Sequence, residues 1–434
     1  MSAPLPDSSR PPSAQDIAGL TERLFRHEAG KLVSVLTGIF GVERLQLAED
    51  VVQEALVRAL QTWPYHGVPK NPAAWLMQTA RNLALDVLRR EKNFHAKQTD
   101  IVTTIELRMS DPGEANAPAF DDEITDQRLR LIFTCCHPIL PPEAQTALAL
   151  KTLGGLSPAE IAKAFLTSEA AVAKRLTRAR ASLQEAGVAF EIPAGADLPP
   201  RLDGVLQILY LLFNEGYKAS HGDSLLRADL CEEAIRLAQL LASHPAGDQP
   251  RTHALLALML LNAARFATRT DAQGRILRLE EQDRAAWDRA LISQGIHHLR
   301  RASAGNELTE YHIQAGIAAC HCTAPDAAST NWRFILSHYD QWVLLTDSPI
   351  VALNRAVAVA KIDGPAAGLA AVAAIPNRRQ LDGYHLTHAV LGDFEVQRGD
   401  FRAAAAHFRR ALDLAEARPE QDLITRRLRD CAAE

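Results

Sequence analysis

Between residues 72 and 90, apolar side chains recur at helical spacing: Leu76, Ala80, Leu83 and Val87 stand at steps of four, three and four. That period lays them along one stripe of an α-helix turned toward a core. Trp75, Thr79, Asn82, Asp86 and Arg89 fall on another face, and Pro72 sits near the start, where a missing N–H costs little. The upstream segment 49–60 is also helical in pattern and sets Asp50, Gln53 and Glu54 at i, i+3 and i+4 on one polar face. A chain built this way folds by packing helix on helix. Alanine and leucine dominate and aromatic residues are only 6% of the chain, which extends that expectation nearly throughout: the fold class is all-α.

The charge is unevenly placed. Lys70 to Lys97 holds six cations against two acids, and Lys151 to Arg180 again six against two. Between them, Gln98 to Gln127 holds eight acids and a single arginine. Two basic patches can therefore bind phosphate although the net charge is −5. A chain of 434 residues exceeds one ordinary core. The segments read as a disordered tail (1–16), a first helical domain (17–92), an acidic linker (93–127), a second helical domain (128–187) and a long helical extension (188–434). The breaker cluster at 190–200 precedes the extension.

In the second domain, Ser157-Pro158-Ala159-Glu160 is a capping box with proline at the first helical position. A turn at Leu166-Thr167 follows, and Ser168 caps a second helix with Val172 and Leu176 inward. The pattern is a helix-turn-helix, whose second helix enters a major groove with its N-terminal residues at base edges. Ser168, Glu169, Lys174, Arg175, Arg178 and Arg180 are its DNA-contacting candidates. Arginine pairs in two-pronged fashion with guanine, and lysine meets phosphate. In the first domain, Tyr65, His66 and Trp75 supply rings, Lys70, Arg81, Arg89 and Arg90 supply charge, and Asn71 and Asn82 supply amides. Rings and cations are what a protein needs to hold unstacked DNA. Trp63 reads better as core, and the Asp50, Gln53, Glu54 face, taken alone, reads more readily as a solvated face than as a docking surface.

Residues 17–187 resemble an extracytoplasmic-function (ECF) sigma factor. The whole chain is similar to the subgroup with a long C-terminal extension, through "LIFTCCHPILPPEAQTALALKTLGGLSPAEIAKAFL" (131–166), "LYLLFNEGYKAS" (209–220), "RADLCEEAIRLAQLL" (227–241), "EEQDRAAWDRALI" (280–292) and "SPIVALNRAVAVA" (348–360). The resemblance implies docking on the clamp of core RNA polymerase through Asp50, Gln53 and Glu54. It implies −10 promoter recognition by the 61–90 stretch, −35 recognition by the 168–180 helix, and a linker threading the polymerase. Many such turns carry glycine where Leu166 stands here, which widens the choice of base-contacting residues.

In the extension, Leu391-Gly392, Gly399, Ala404, Phe408 and Ala411 follow tetratricopeptide spacing, and Gly364 lies 35 residues before Gly399. Stacked helix pairs of that kind offer grooves to a protein or a ligand. Asn214, Glu215, Tyr217, Arg265, Asp271, Gln282, Asp283, Arg284 and Trp287 concentrate acids, cations and rings. They read either as a pocket or docking surface, or as an ion-pair network fixing irregular packing.

The six cysteines form no Cys-x-x-Cys pair and follow no secretory signal, so reduced cytosolic thiols are expected. Adjacent ligands such as Cys135-Cys136-His137 and alternating ones such as Cys320-His321-Cys322 point in different directions on a helix, so neither makes a chelate. No metal, cofactor, catalytic residue or membrane span is expected, and the protein reads as cytoplasmic. The alternative function is a helix-turn-helix regulator of duplex DNA with a helical sensor domain, which would not need the 49–90 constellation.

Overall fold

A computed structural model describes residues 29–94, 127–164, 167–217 and 228–433. The tail 1–16, almost all of the acidic linker, and Leu166 lie outside the described residues. Among the described residues the chain is helical throughout, with short 3-10 turns and one isolated bridge between Thr270 and Ile276. It divides into two compact units, Met1–Ile208 and Leu209–Glu434.

The first unit holds α1 (29–40), α2 (Leu45–His66), α3 (Pro72–Phe94), α4 (127–135), α5 (Pro142–Thr152), α6 (Pro158–Ala164), α7 (Glu169–Glu185) and the start of α8 (Leu198–Tyr217). Gly67, at φ 81°, stops α2, and its N–H caps the Trp63 carbonyl. α3 packs on α2 along a slightly different stripe from the one expected. Leu76, Ala80, Ala84 and Leu88 are buried, while Leu83 and Val87 are only half-buried. The alanines explain the rotation: a line of small side chains at i, i+4 lets two helices approach closely. The capping box forms as read, with Ser157 N–H donating to Glu160 at 2.7 Å and Glu160 N–H to Ser157 Oγ at 3.2 Å. After the 190–200 breaker, α8 begins within this unit: Leu202, Val205 and Leu206 are buried, and Arg201 donates to the Phe133 carbonyl at 2.6 Å. The division between the units therefore falls inside α8, past the break at 188 that the sequence suggests.

In the second unit, α9 (Ala228–Ser243), α11 (Arg289–Ala302) and α12 (Glu310–Thr323) surround α10 (Pro250–Ala263). α10 is buried on every side from Thr252 to Leu261, as a helix enclosed by neighbours must be. α13 (Trp332–Leu345) leads into paired helices: α14 (Pro349–Asp363) with α15 (Pro365–Ala373), α16 (His385–Arg398) with α17 (Phe401–Leu414), and a closing α18 (Arg418–Ala433). The turns of both pairs are made by Gly364 (φ 90°) and Gly399 (φ 78°), the two glycines that marked the repeat. Phe408, Ala404 and Ala411 are buried, and the phenyl ring lies over Gly392, where an added Cβ would stand 2.7 Å from it. Gly392→Val should therefore destabilise this unit by about 1–3 kcal/mol through overpacking, read as a lower urea midpoint at unchanged slope.

Candidate nucleic-acid interface

α2 separates two faces cleanly. Val51, Val52, Ala55 and Leu56 are buried, while Asp50, Gln53 and Glu54 are exposed, with Glu54 loosely paired to Arg58 at 3.2 Å. A surface pair of this kind contributes little to stability, so the acidic face is free to exchange partners.

The ring and cation set of the first domain lies on the α2–α3 connection and one side of α3. Tyr65 is 85% exposed, and His66 and Lys70 are exposed beside it in sequence. Trp75, Asn82 and Arg89 recur every seven residues and so share a face. Trp75 is half-buried and meets the buried Trp63 edge-to-face, with centroids 5.5 Å apart. Trp63 is thus core, as expected, and it props the ring that faces outward. Asn71 accepts from Ala74 N–H at 3.1 Å and so serves as the N-cap of α3. Asn82 accepts from Gln78 at 3.0 Å on the exposed face. Arg81 is the odd cation, half-buried, with Nε unpartnered and its pKa lowered by burial. Arg90 is exposed at the helix end, as is Arg89.

The helix-turn-helix candidates separate into two groups. Ser168 caps α7 by accepting from Ala171 N–H at 3.2 Å, and Glu169, Lys174 and Arg178 are exposed. Arg175 pairs with Glu143 at 2.7 Å, across from α5. Arg180 turns inward and donates to the buried Glu49 of α2, which also accepts from Thr152 Oγ1 at 2.5 Å. Glu49 was not singled out from the sequence, although a signal was there. It stands four residues after Leu45 and three before Val52, on the stripe that the apolar period assigns to the core.

In the extension, the polar candidates form two arginine-centred nodes. Arg284 is buried and donates to the carbonyls of His321 (2.9 Å) and Ala324 (3.2 Å) and to Thr330 Oγ1 (3.0 Å). Its guanidinium lies 5.1 Å from the centroid of the buried Trp287 ring, with Arg265 over the same ring at 5.5 Å. Arg265 also reaches Gln282, which donates to the Leu277 carbonyl. Asp283 caps the short turn at Arg284, and Asp271 closes a loop with Arg275. In the second node Arg269 lies 3.9 Å from the Tyr217 ring centroid and donates to the Tyr217 carbonyl. Tyr217 in turn stacks on Phe213. Asn214 and Glu215 sit half-buried in the same turn of α8. These groups tie an irregular segment, 264–288, to the helices around it. A cavity of about 290 Å³ opens beside Arg284, lined by Arg278, Glu280, Trp332, Lys361 and Phe394.

The thiols are chemically quiet. Burial pushes Cys136 up to about 12 and Cys322 up to about 11, and holds Cys135 well above its ordinary value. His321, buried and next to Cys322 in sequence, is pulled down to about 4 by desolvation and by Arg265 and Arg284. A histidine whose folded value lies below its unfolded one takes its proton first in the unfolded chain. Stability is therefore full above about pH 6.5 and falls toward about pH 4, by roughly 1.4 kcal/mol per pH unit across that window. Denaturant unfolding of the full chain at pH 7 and pH 5 should show this loss, and His321→Leu should reduce it, with His298, also pulled down to about 4, supplying a further part of the same sign.

Three family profiles match in chain order: Sigma-70 region 2 at residues 24–94, Sigma-70 region 4 at 130–183, and a family of unknown function, DUF6596, at 201–303. The uncharacterized protein R00370 of Rhizobium meliloti is 41% identical over 90% of this chain and 91% of its own length. The ECF RNA polymerase sigma factor SigL of Mycobacterium tuberculosis is 37% identical over 32% of this chain and 77% of its own. The ECF RNA polymerase sigma factor SigW of Bacillus subtilis is 28% identical over 32% of this chain and 74% of its own. No solved structure matches. No described helix is long and apolar enough to cross a membrane.

Proposed function

Because the chain belongs to the extracytoplasmic-function sigma-70 family, in the group with a long C-terminal helical extension, we propose that it binds core RNA polymerase and directs promoter-specific initiation under the control of that extension. The observation that carries the reading is the exposed pair of surfaces in one unit. An acidic-polar face on α2 suits a basic clamp helix, and a ring-and-cation face on α3 suits melted DNA. The second helix of the helix-turn-helix adds exposed Lys174 and Arg178 for a duplex. Region 2 thus holds the polymerase and the −10 element, and region 4 the −35 element. The arginine nodes of the extension favour a rigid helical body offered to the transcription machinery or to another protein, with control exerted through docking.

Run-off transcription with purified protein and sigma-free core polymerase, on a pooled promoter library, tests this. Discrete transcripts are expected from the full chain. A truncation should end after Tyr217 and not at 190, since the start of α8 belongs to the first unit through Arg201 and Leu202. A changed transcript level in that lane gives the sign of the extension's control, and identical levels would remove the regulatory role. Absent transcripts together with absent core binding would leave the duplex-binding regulator.

A further inference from the structure

The contact between Glu49 and Arg180 joins the two sigma regions to each other. Glu49 belongs to α2 of region 2, and Thr152 and Arg180 to α5 and α7 of region 4. The carboxylate is 4% exposed, and both of its oxygens accept from region 4. A further contact joins the two regions: an added Cβ on Gly30 of α1 would stand 2.4 Å from the carbonyl of Leu153, the residue after Thr152. Region 2 and region 4 are therefore closely packed on each other, around a charge that water does not reach.

Promoter binding needs the opposite arrangement. The −10 and −35 elements lie roughly 25 base pairs apart, on the order of 85 Å of duplex at about 3.4 Å per base pair. Two domains in van der Waals contact cannot meet both. The closed packing holds the recognition helix α7 by its inward side, through Arg180, while Lys174 and Arg178 remain exposed.

We propose that Glu49 is an intramolecular latch: it holds the free protein closed by accepting from Arg180 and Thr152, and it must release them before region 2 and region 4 can reach their separate stretches of duplex DNA. The latch is built to yield. Arg180 Nε remains buried without a partner, so the closed state leaves one donor unsatisfied that phosphate or water would satisfy on opening. The exposed face of Asp50, Gln53 and Glu54 stays accessible in the closed state, so a partner can dock there first and open the latch afterwards. What opening accomplishes rests on the sigma-factor reading; the latch itself does not.

The test uses the full chain without polymerase. Spin labels on Gln61→Cys and Glu185→Cys, both exposed, report the distance between the two regions. Cys320→Ser removes the one thiol that is not fully buried. Glu49→Arg should shift the distance distribution to longer values, and the double swap Glu49→Arg with Arg180→Glu should restore the short one. Glu49→Gln should raise affinity for a random-sequence duplex long enough to reach both regions at once, roughly tenfold if about nine molecules in ten are closed. Unchanged distances in Glu49→Arg, or no recovery in the swap, would overturn the latch. So would a Glu49→Gln variant that only loses stability and gains no affinity. Neither readout involves core polymerase, so a failure of transcription would count against the promoter reading alone.

Discussion

Reversing the charge of Asp50 and Glu54 together, to lysine, should weaken binding to core polymerase by at least about a hundredfold while leaving the fold intact. The two halves of that expectation come from the same helix. Both side chains are exposed, and the apolar stripe beneath them, from Val51 to Leu56, is untouched by the change. Surface substitutions of this kind move stability by no more than about 0.5 kcal/mol. Binding is different, because a carboxylate facing a cationic partner becomes a like charge in a desolvated contact. Losing one such pair costs about 2–5 kcal/mol, and about 2.7 kcal/mol already corresponds to a hundredfold. Gln53→Ala removes a polar contact without reversing charge and should cost less. Circular dichroism establishes the fold, and competition against labelled wild-type protein for core polymerase gives the affinity. Wild-type affinity in the lysine variant would make the α2 face a solvated one.

The sequence patterns that proved sound are local ones. Ser157 with Glu160 and Ser168 with Ala171 are contacts over three residues, so spacing alone specifies them. Gly364 and Gly399 also announce their turns, because only a residue without a side chain takes their backbone angles at no steric cost. What periodicity cannot supply is direction between elements. Ala84 and Leu88 displace Leu83 and Val87 from the α3 core line by less than one turn, a choice made by the partner helix. Arg180 read as a DNA contact because every basic residue on a recognition helix does. Its carboxylate lies 131 residues away in sequence, beyond any local pattern. The cluster from Arg265 to Trp287 shows the same limit: composition reveals that rings and cations are gathered, but only the fold reveals that Arg284 spends its donors on His321, Ala324 and Thr330.

Trp63→Ala and Trp75→Ala should separate stability from DNA binding at two rings that touch each other. Trp63 is 1% exposed, and truncating a tryptophan so deeply buried costs about 3–5 kcal/mol, part transfer and part cavity. That is a large share of the stability of a small domain, so the first unit should unfold at markedly lower urea. Trp75 loses much less on truncation: it is half-buried, and its edge-to-face contact with Trp63 is worth about 0.5–1.5 kcal/mol. Its cost should appear where a base stacks on the outward ring, about 1–3 kcal/mol in affinity for single-stranded promoter DNA in the presence of core polymerase. Trp63→Phe keeps an aromatic prop and should retain most of that affinity, which tests whether Trp63 acts through Trp75. The start of α3 is also a reason the effects separate. α3 begins at a cap made by Asn71, so Trp75 is placed one turn inside a helix whose start does not depend on either ring. If Trp75→Ala binds single-stranded DNA as well as the wild type does, the ring is a surface extension of the Trp63 core, and the proposed −10 contact would fall to the cations Lys70, Arg89 and Arg90 and to the exposed Tyr65.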